Sequence, residues 1–183
     1  MKTESNVAYI ARLAITLLLI TAVVAAGLAC VNAVTAPEIE ALNAQKTQTA
    51  IEAVLPGGGE EIAFTDDSGI VSTIYKGQSG YAVEVTPAGF NGTVTMMVGV
   101  DNTGKVLGIS VVNHTETAGL GAEAASQGAA GTAFRSQFTG MSGSVSVTKD
   151  GGQVDSVTAA SRSSRAVCKA VNAACDYVAA MGN

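Results

Sequence analysis

Tryptophan is absent from the 183-residue chain, and all aromatic residues together make up 4% of it. With so few large rings and 21 glycines, we expect a small core, many turns and β-structure. Charged residues are also scarce, at 14% against about 25% in typical globular proteins. The net charge of −5 argues against nucleic-acid binding, which needs a basic surface. Three cysteines are too few for a disulfide scaffold, and 48% hydrophobic residues exclude general disorder.

A long uncharged run stands near the N-terminus. From Leu13 to Val31, 19 residues carry no charge. A helix of that length spans about 28 Å, close to the thickness of about 30 Å of a bilayer's hydrocarbon core. Because backbone amides in hydrocarbon must be paired within the segment, we predict a single transmembrane helix over residues 13–34, preceded by a cytoplasmic N-terminus over residues 1–12.

The charges that flank this run predict its orientation. Lys2 and Arg12 precede it, whereas Glu38 and Glu40 follow it. Basic residues concentrate on the cytoplasmic side of membrane helices. Residues 36–183 are therefore expected outside the cytoplasm.

Two alternatives to an uncleaved anchor involve processing of this segment. A cleaved signal peptide would have an apolar run of about 7–15 residues, shorter than this one, although Ala29 and Ala33 resemble residues of a cleavage site. A lipoprotein signal ending at Cys30 would carry a bulky aliphatic residue where Gly27 stands. We therefore interpret the run as an uncleaved anchor.

Beyond the anchor, the hydrophobic pattern changes from a helical to a strand period. Residues 38–55 predict an amphipathic juxtamembrane helix that Pro56 and the glycines after it terminate, so residues 35–59 form a helix and linker. Four segments then predict an antiparallel meander: Ile70–Lys76, Tyr81–Thr86, Val94–Val100 and Leu107–Val111. Alternation in the last two segments predicts inward side chains at Val94, Met96, Val98 and Val100, and at Leu107, Ile109 and Val111.

The C-terminal part combines loops with one long helix. Residues 114–131 are rich in glycine and alanine and predict an irregular loop, which Phe134 and Phe138 are expected to anchor to the core. Ser144–Thr148 and Gln153–Val157 predict a second hairpin. Helical spacing of apolar residues predicts a final helix with an inward face of Val167, Val171, Ala174, Cys175 and Val178. The predicted fold class is α+β, with a single N-terminal transmembrane helix followed by a twisted antiparallel sheet with packed helices.

Neither the cysteines nor the histidine predicts a metal or redox site. Cys168 and Cys175 lie about 10 Å apart along one helix, beyond the limit of about 7 Å for a disulfide. Together with Cys30 in the anchor, they are interpreted as packing residues. His114 and Glu116, two apart on a strand, would share a face and could hold a metal or act as a base. Without a third ligand, we interpret them as polar residues at a strand end.

Residues 155–165 join a predicted strand to the start of the final helix. Unpaired N–H groups and the helix dipole at such a point favour an anion, above all phosphate. The polar side chains around it are Thr158, Ser161, Arg162, Ser163, Ser164 and Arg165. The alternative is that one serine caps the helix and the others are solvated. A serine hydrolase is not indicated, because the chain has no G-x-S-x-G motif, and we predict no catalytic residue.

Three stretches of the chain carry a resemblance: residues 89–121, residues 134–140 and residues 154–167. They resemble one known family, the covalent-FMN (G) subunits of Rnf electron-transport complexes. Residues 89–121 resemble its glycine-rich strand pair and H-x-ETPGLG loop, and residues 134–140, FRSQFTG, resemble its F-x-x-QF-x-G. Residues 154–167 resemble its D-x-x-[ST]-G-A-T-x-[ST]-S segment before the closing helix. With the anchor, order and spacing agree over nearly the whole chain. The chain is similar also to the related C subunits of sodium-pumping NADH:quinone reductases.

The resemblance implies a covalent FMN and names the residues that would hold it. FMN would be joined through its phosphate, as a phosphoester, to Ser161 by an ApbE-type flavin transferase. The other hydroxyls of that motif correspond to Thr158, Ser163 and Ser164. The loop over the flavin corresponds to Glu116, Thr117, Gly119, Leu120 and Gly121.

The chain departs from the family pattern at three positions. Ala159 stands in place of glycine, Ser161 in place of threonine, and Ala118 in place of proline. Serine offers the same oxygen as threonine. A glycine at position 159, however, permits a backbone conformation that alanine resists.

The resemblance also implies a function for residues 60–183 as an extracytoplasmic FMN-binding domain on a membrane anchor. It would relay electrons in an Rnf-type complex that couples ferredoxin and NAD exchange to ion translocation, beside integral membrane, flavin and iron–sulfur subunits. On its own the chain would not be an enzyme. Alternatives are the related quinone-reductase component, which we expect to be longer, a cofactor-free anchored binding module, and a flavin-carrying reductase for an extracellular acceptor.

Overall fold

The computed structural model describes residues 3–64 and 69–181. It divides the chain into two compact units, residues 1–44 and 45–183. Within the described residues, one helix is long and apolar enough to cross a membrane, with a mean hydropathy of 2.6. The predicted long apolar helix near the N-terminus is thereby confirmed.

This helix, α1, is continuous over Thr3–Val54 and contains Pro37. We expected the anchor to end before Pro37 and a second helix to follow it, and that separation is wrong. A proline inside a helix removes one hydrogen bond and crowds the preceding turn. The flanking residues keep their own bonds, so helix propagation continues on both sides of the interruption.

A five-stranded antiparallel sheet follows, with its strands in chain order. The strands are β1 (Glu60–Ile62), β2 (Val71–Lys76), β3 (Gly80–Val85), β4 (Val94–Asp101) and β5 (Val106–His114). The predicted meander is confirmed as β2 to β5. The sequence did not predict β1, because three residues with two glutamates show no strand alternation.

The two faces of the sheet bury two separate clusters. On one face lie Val94, Met96, Val98 and Val100 of β4, all fully buried as predicted. They belong to the main core, which also contains Phe134 and Phe138. On the other face lies the second core, formed by Ala50, Ile51, Val54 and Leu55 with Ala82 and Met97.

One predicted inward residue, Leu107, is 37% exposed. Val100 pairs with Val106 and Gly99 pairs with Gly108, so Leu107 is an extra residue in β5. A bulge of this kind leaves one residue unpaired and shifts the alternation after it. Val106 takes the buried position instead, while Ile109 and Val111 pack against the main core as predicted.

The remaining elements lie between β5 and the C-terminus. They are α2 (Ala122–Ala125), α3 (Ala129–Ser136), a single 3₁₀ turn (Thr148–Asp150) and α4 (Ser161–Met181). Helix α4 lies against β2, β3 and β4, and its predicted inward face is buried. Phe134 and Phe138 anchor the preceding loop in the main core, also as predicted.

The hairpin predicted for residues 144–157 does not form. Val147 and Val154 instead make one isolated parallel bridge. The 3₁₀ turn follows Val147 directly, and Gly151 ends it with a positive φ of 84°. Because both valines point into the main core, the chain between them turns as a compact loop rather than extending into paired strands.

Candidate functional site

The carboxylate of Glu116 connects three segments that are distant in the sequence. It accepts hydrogen bonds from the backbone N–H of Phe90 at 2.6 Å and of Asn91 at 3.3 Å. It also accepts one from the Ser163 hydroxyl at 2.9 Å. Glu116 is 8% exposed and Ser163 is fully buried. We call this arrangement the Glu116 clamp; it holds the loop before β4, the loop after β5 and the first turn of α4 together.

Two glycines allow the clamp to close. A Cβ atom on Gly89 would overlap Oε1 of Glu116, and one on Gly121 would overlap Oε2. The same Cβ on Gly121 would stand 2.7 Å from the Ser163 Oγ. The glycines of both loops thus permit a closeness to the carboxylate that any side chain would prevent.

Ser164 is engaged inside the turn that leads into α4. Its hydroxyl donates to the Ala160 carbonyl at 3.0 Å and accepts from the Val157 N–H at 3.1 Å. Like Ser163, it is fully buried. The two serines therefore fix the start of α4 in this structure.

Ser161, the first residue of α4, lies in a different environment. Its hydroxyl accepts a hydrogen bond from Nζ of Lys149 at 3.0 Å. Ser161 is half-buried and Lys149 is exposed. Among the described residues, no acceptor pairs with the N–H groups of Ser161, Arg162 and Ser163. The half-exposed Ser161 hydroxyl thus lies beside the ammonium group of Lys149 and near the unpaired backbone N–H groups at the start of α4.

The turn that carries Lys149 is tied to α4 by a second contact. Arg165 donates two hydrogen bonds to the Asp150 carboxylate, at 2.6 and 2.8 Å. This bonding lowers the pKa of Asp150, so the carboxylate is charged at neutral pH. Arg165 is therefore occupied by Asp150, and Lys149 remains directed at Ser161.

Thr158 is exposed and lies in the turn that precedes α4. The Ala160 N–H donates to the Val157 carbonyl at 3.0 Å, which closes a turn with Thr158 and Ala159 at its centre. Thr158 also lines a groove of about 380 Å³ between α3 and residues 155–158. The Gln137 side chain bonds both backbone groups of Asp155 in the groove wall.

Ala159 is the one described non-glycine residue with a positive φ, 63°. It occupies the third position of the turn, where a type II turn requires such a φ and glycine is favoured. An L-residue with a side chain pays about 1–2 kcal/mol for this conformation. The expectation from the sequence, that a glycine suits position 159 better than alanine, is confirmed by the backbone.

Replacing Ala159 by glycine is expected to stabilise the domain. Relief of the left-handed strain, less the greater freedom of glycine in the unfolded chain, gives a gain of about 1 kcal/mol. Urea unfolding of the full chain in detergent measures it. Ala160→Gly is the matched control, because it removes a buried methyl without a positive φ and should lower stability. Equal effects from both variants would contradict the strain at position 159.

Three other residues of the predicted flavin loop, Thr117, Gly119 and Leu120, lie at the surface beside the clamp, whereas Gly121 is buried. Thr117 accepts a hydrogen bond of 3.5 Å from the Asn91 side chain, and Gly119 has a φ of 74°. Leu120 is 41% exposed and Phe90 is 51% exposed. Each of these two apolar side chains extends from a loop that Glu116 holds, so apolar surface is presented next to the clamp.

The hypothesis that His114 and Glu116 share a face is wrong. His114 is the exposed last residue of β5, whereas Glu116 lies beyond the strand and is buried in the clamp. Among the described residues, no group of His, Cys, Asp and Glu side chains could hold a metal ion. Cys168 and Cys175 are buried and unpaired, and burial raises the pKa of each thiol to about 11. Both behave as the predicted packing residues.

Sequence reasoning missed three contributors to this region. Lys149 stands in a polar turn, 12 residues before Ser161, and no local pattern joins the two. Phe90 takes part in the clamp through its N–H, which every residue type offers. Arg135 is buried, and its guanidinium donates to the Ala124 and Ser126 carbonyls at 3.2 and 2.9 Å, where it supports the end of α2. A buried arginine in the short helix α3 gives no signal in the sequence.

Comparison with known proteins identifies relatives over nearly the whole chain. The model of the FMN-binding domain family matches residues 89–176. The G subunit of the ion-translocating oxidoreductase complex of Methanosarcina acetivorans is 33% identical, over 93% of this chain and 95% of its own. The G subunit of the Na(+)-translocating ferredoxin:NAD(+) oxidoreductase complex of Acetobacterium woodii is 32% identical over 88% and 87%. The corresponding ion-translocating oxidoreductase component from Vibrio parahaemolyticus is 33% identical over 79% of this chain and 60% of its own.

Proposed function

Because the chain belongs to the family of G subunits of Rnf-type ion-translocating oxidoreductase complexes, we propose that it relays electrons through covalently bound FMN in such a complex. Helix α1 anchors the chain in the membrane. We place residues 1–12 in the cytoplasm, residues 13–34 in the bilayer and the FMN-binding domain, residues 60–183, outside the cytoplasm. The basic residues before the apolar run support this orientation.

The residues present fit the two chemical ends of FMN. The phosphate requires donors and positive charge, which Lys149 and the open N–H groups at the start of α4 supply. The flavin ring requires apolar surface and close backbone, which Leu120, Phe90 and the open Gly119 supply. When bound, FMN provides one- and two-electron chemistry, and the protein provides position and electrostatics.

One observation carries the choice of Ser161 as the attachment residue. Residues 158–164, which lead into and begin α4, carry four hydroxyls. Two of them, Ser163 and Ser164, are fully buried and bonded internally. Ser161 is half-exposed beside an ammonium group, and a phosphoester requires both access and charge compensation. Thr158 is accessible as well, but Lys149 contacts Ser161. An ApbE-type flavin transferase would form the ester.

The proposal is tested by co-expressing the full chain with its flavin transferase, followed by denaturing gel fluorescence and intact mass. The wild type should be fluorescent and heavier by FMN minus water. Ser161→Ala should lose both signals completely, whereas Ser161→Thr, which keeps the oxygen, and Thr158→Ala should retain them. Fluorescence that survives in Ser161→Ala would move the attachment to another hydroxyl. A colourless wild type would instead favour a cofactor-free binding module.

The protein would act as an electron carrier rather than as an enzyme by itself. No side chain at the proposed site is needed as an acid, a base or a nucleophile during electron transfer, because the flavin carries the redox chemistry. Partners would be the integral membrane subunits and the flavin and iron–sulfur subunits of the complex. The relatives are named as components of ion-translocating and ferredoxin:NAD(+) oxidoreductase complexes rather than of a quinone reductase, which supports the Rnf type.

A further inference from the structure

We infer that Lys149 is the positioning residue of the attachment site: it prepares the Ser161 hydroxyl for esterification and then pairs with the phosphate of the ester. The inference rests on the proposed function, because it requires FMN on Ser161. It assigns a role to a residue outside the motif that resembles the family's attachment segment.

The contact between the two side chains is direct and comes from different elements. Nζ of Lys149 lies 3.0 Å from Oγ of Ser161. The 3₁₀ turn that carries Lys149 begins after Val147, which is buried in the main core and bridged to Val154. A Cβ atom on Gly152 would overlap the Ser146 carbonyl, so the turn also closes tightly on itself. Lys149 therefore extends from a braced turn.

The charge of Lys149 is available for a phosphate because its acidic neighbour is occupied. Asp150 follows Lys149 in the chain, yet its carboxylate receives both hydrogen bonds from Arg165. The pair of Asp150 and Arg165 is neutral as a unit. Lys149 then contributes an uncompensated positive charge at the Ser161 oxygen, where an anionic ester would form.

The chemistry of attachment explains why a cation is needed at this oxygen. The Ser161 Oγ forms a bond to the flavin-side phosphorus of a flavin dinucleotide, and the bond from that phosphorus to the bridging oxygen of the diphosphate breaks. A nucleoside monophosphate leaves, the hydroxyl proton passes to solvent, and no electrons are transferred. A positive charge beside Oγ stabilises the negative charge that develops as the proton leaves. The phosphodiester that forms is itself an anion, and an ammonium group is a strong partner for it.

The test measures the rate of attachment by the transferase on the purified full chain, with a flavin dinucleotide as donor. Lys149→Met keeps the length of the side chain and removes its charge, so kcat of attachment should fall by about tenfold or more, the effect of losing a hydrogen bond to a charged group. Lys149→Arg should recover most of the rate. Lys169→Met is the matched control, since Lys169 is an exposed lysine on the same helix as Ser161, and it should match the wild type.

Separate values of kcat and KM distinguish a role of Lys149 in positioning the Ser161 hydroxyl from a role in docking the transferase. A lower kcat with an unchanged KM for the acceptor protein supports Lys149 at the Ser161 oxygen. A raised KM with an unchanged kcat would assign Lys149 to transferase docking and overturn the inference, as would equal rates for Lys149→Met and Lys169→Met. If the wild type is not labelled, the proposed function fails independently of Lys149. If Ser161→Ala is labelled, the attachment lies on another hydroxyl and the inference about Lys149 is overturned, while the proposed function stands.

Discussion

Replacement of Glu116 by alanine is expected to lower the free energy of unfolding of the domain by about 3 kcal/mol. The carboxylate receives two backbone N–H groups and one hydroxyl, and the Ser163 hydroxyl would be left buried without its acceptor. Hydrogen bonds to a charged group contribute about 1.5–3 kcal/mol each, and a buried donor without a partner adds a penalty. Since the three contacts share one carboxylate, their losses do not simply add.

The measurement is urea unfolding of the full chain in detergent, followed by circular dichroism. Glu116→Gln should cost about 1 kcal/mol, because it keeps an acceptor at the Oε1 position and loses only the charge and the longer contact with Asn91. Glu123→Ala removes a carboxylate on the same segment outside the clamp and should have little effect. A loss in Glu116→Ala no larger than in Glu123→Ala would mean that the clamp does not stabilise the domain.

Hydrogen exchange should localise the effect of losing Glu116. Glu116 connects the loops at residues 89–92 and 115–121 to each other and to α4. In Glu116→Ala their amides should exchange faster than in the wild type, while β4 remains protected. Uniformly faster exchange across the sheet would instead indicate global destabilisation.

The second large effect is expected at Gly99, on the face of β4 that meets the end of α1. A Cβ atom there would stand 2.5 Å from the Val54 carbonyl oxygen and 2.9 Å from the Val54 Cβ. Both are parts of the backbone or attached directly to it, so a rotamer change cannot relieve the contact. Gly99→Ala should therefore separate the last turn of α1 from the sheet and cost about 2 kcal/mol, the typical penalty of an overpacked core.

Gly108 provides a closely matched control, because it is also a glycine and is the cross-strand partner of Gly99 on β5. A Cβ atom on Gly108 would meet nothing within 4 Å. Gly108→Ala should be neutral or slightly stabilising, since alanine loses less backbone freedom than glycine on folding. Urea unfolding of both variants measures the difference in stability. Similar midpoints would show that the end of α1 moves away from the sheet without loss of stability.

Features of the fold that depend on local alternation could be predicted from the sequence. Val94, Met96, Val98 and Val100 were assigned to one face because the strand period is two. Leu107 was assigned wrongly, since a bulge depends on how two strands pair and not on either strand alone. The prediction of a hairpin around residues 150–152 was wrong for a related reason. A glycine-rich turn is compatible with several loop conformations, and burial of Val147 and Val154 favours a compact one.

The candidate site was predictable in its segments but not in its contacts. Resemblance to the family indicated the loop of Glu116 and the hydroxyl segment of Ser161, yet it could not tell which serines are buried. That distinction depends on how α4 packs beside the loops. Lys149 was missed because a charged side chain in a polar turn is usually solvated, and only the folded chain brings it to Ser161.

The second core makes the end of α1 part of the folded domain, so the domain cannot be joined to another membrane anchor at an arbitrary position. Ala82 and Met97 are fully buried because the last turns of α1 cover them. A gene fusion joined at the glycines after Pro56 would look natural in the sequence, but it would discard residues 50–55 and leave that face bare. A transferable module must therefore begin before Ala50, and a free-standing descendant of this domain would need polar replacements at both Ala82 and Met97.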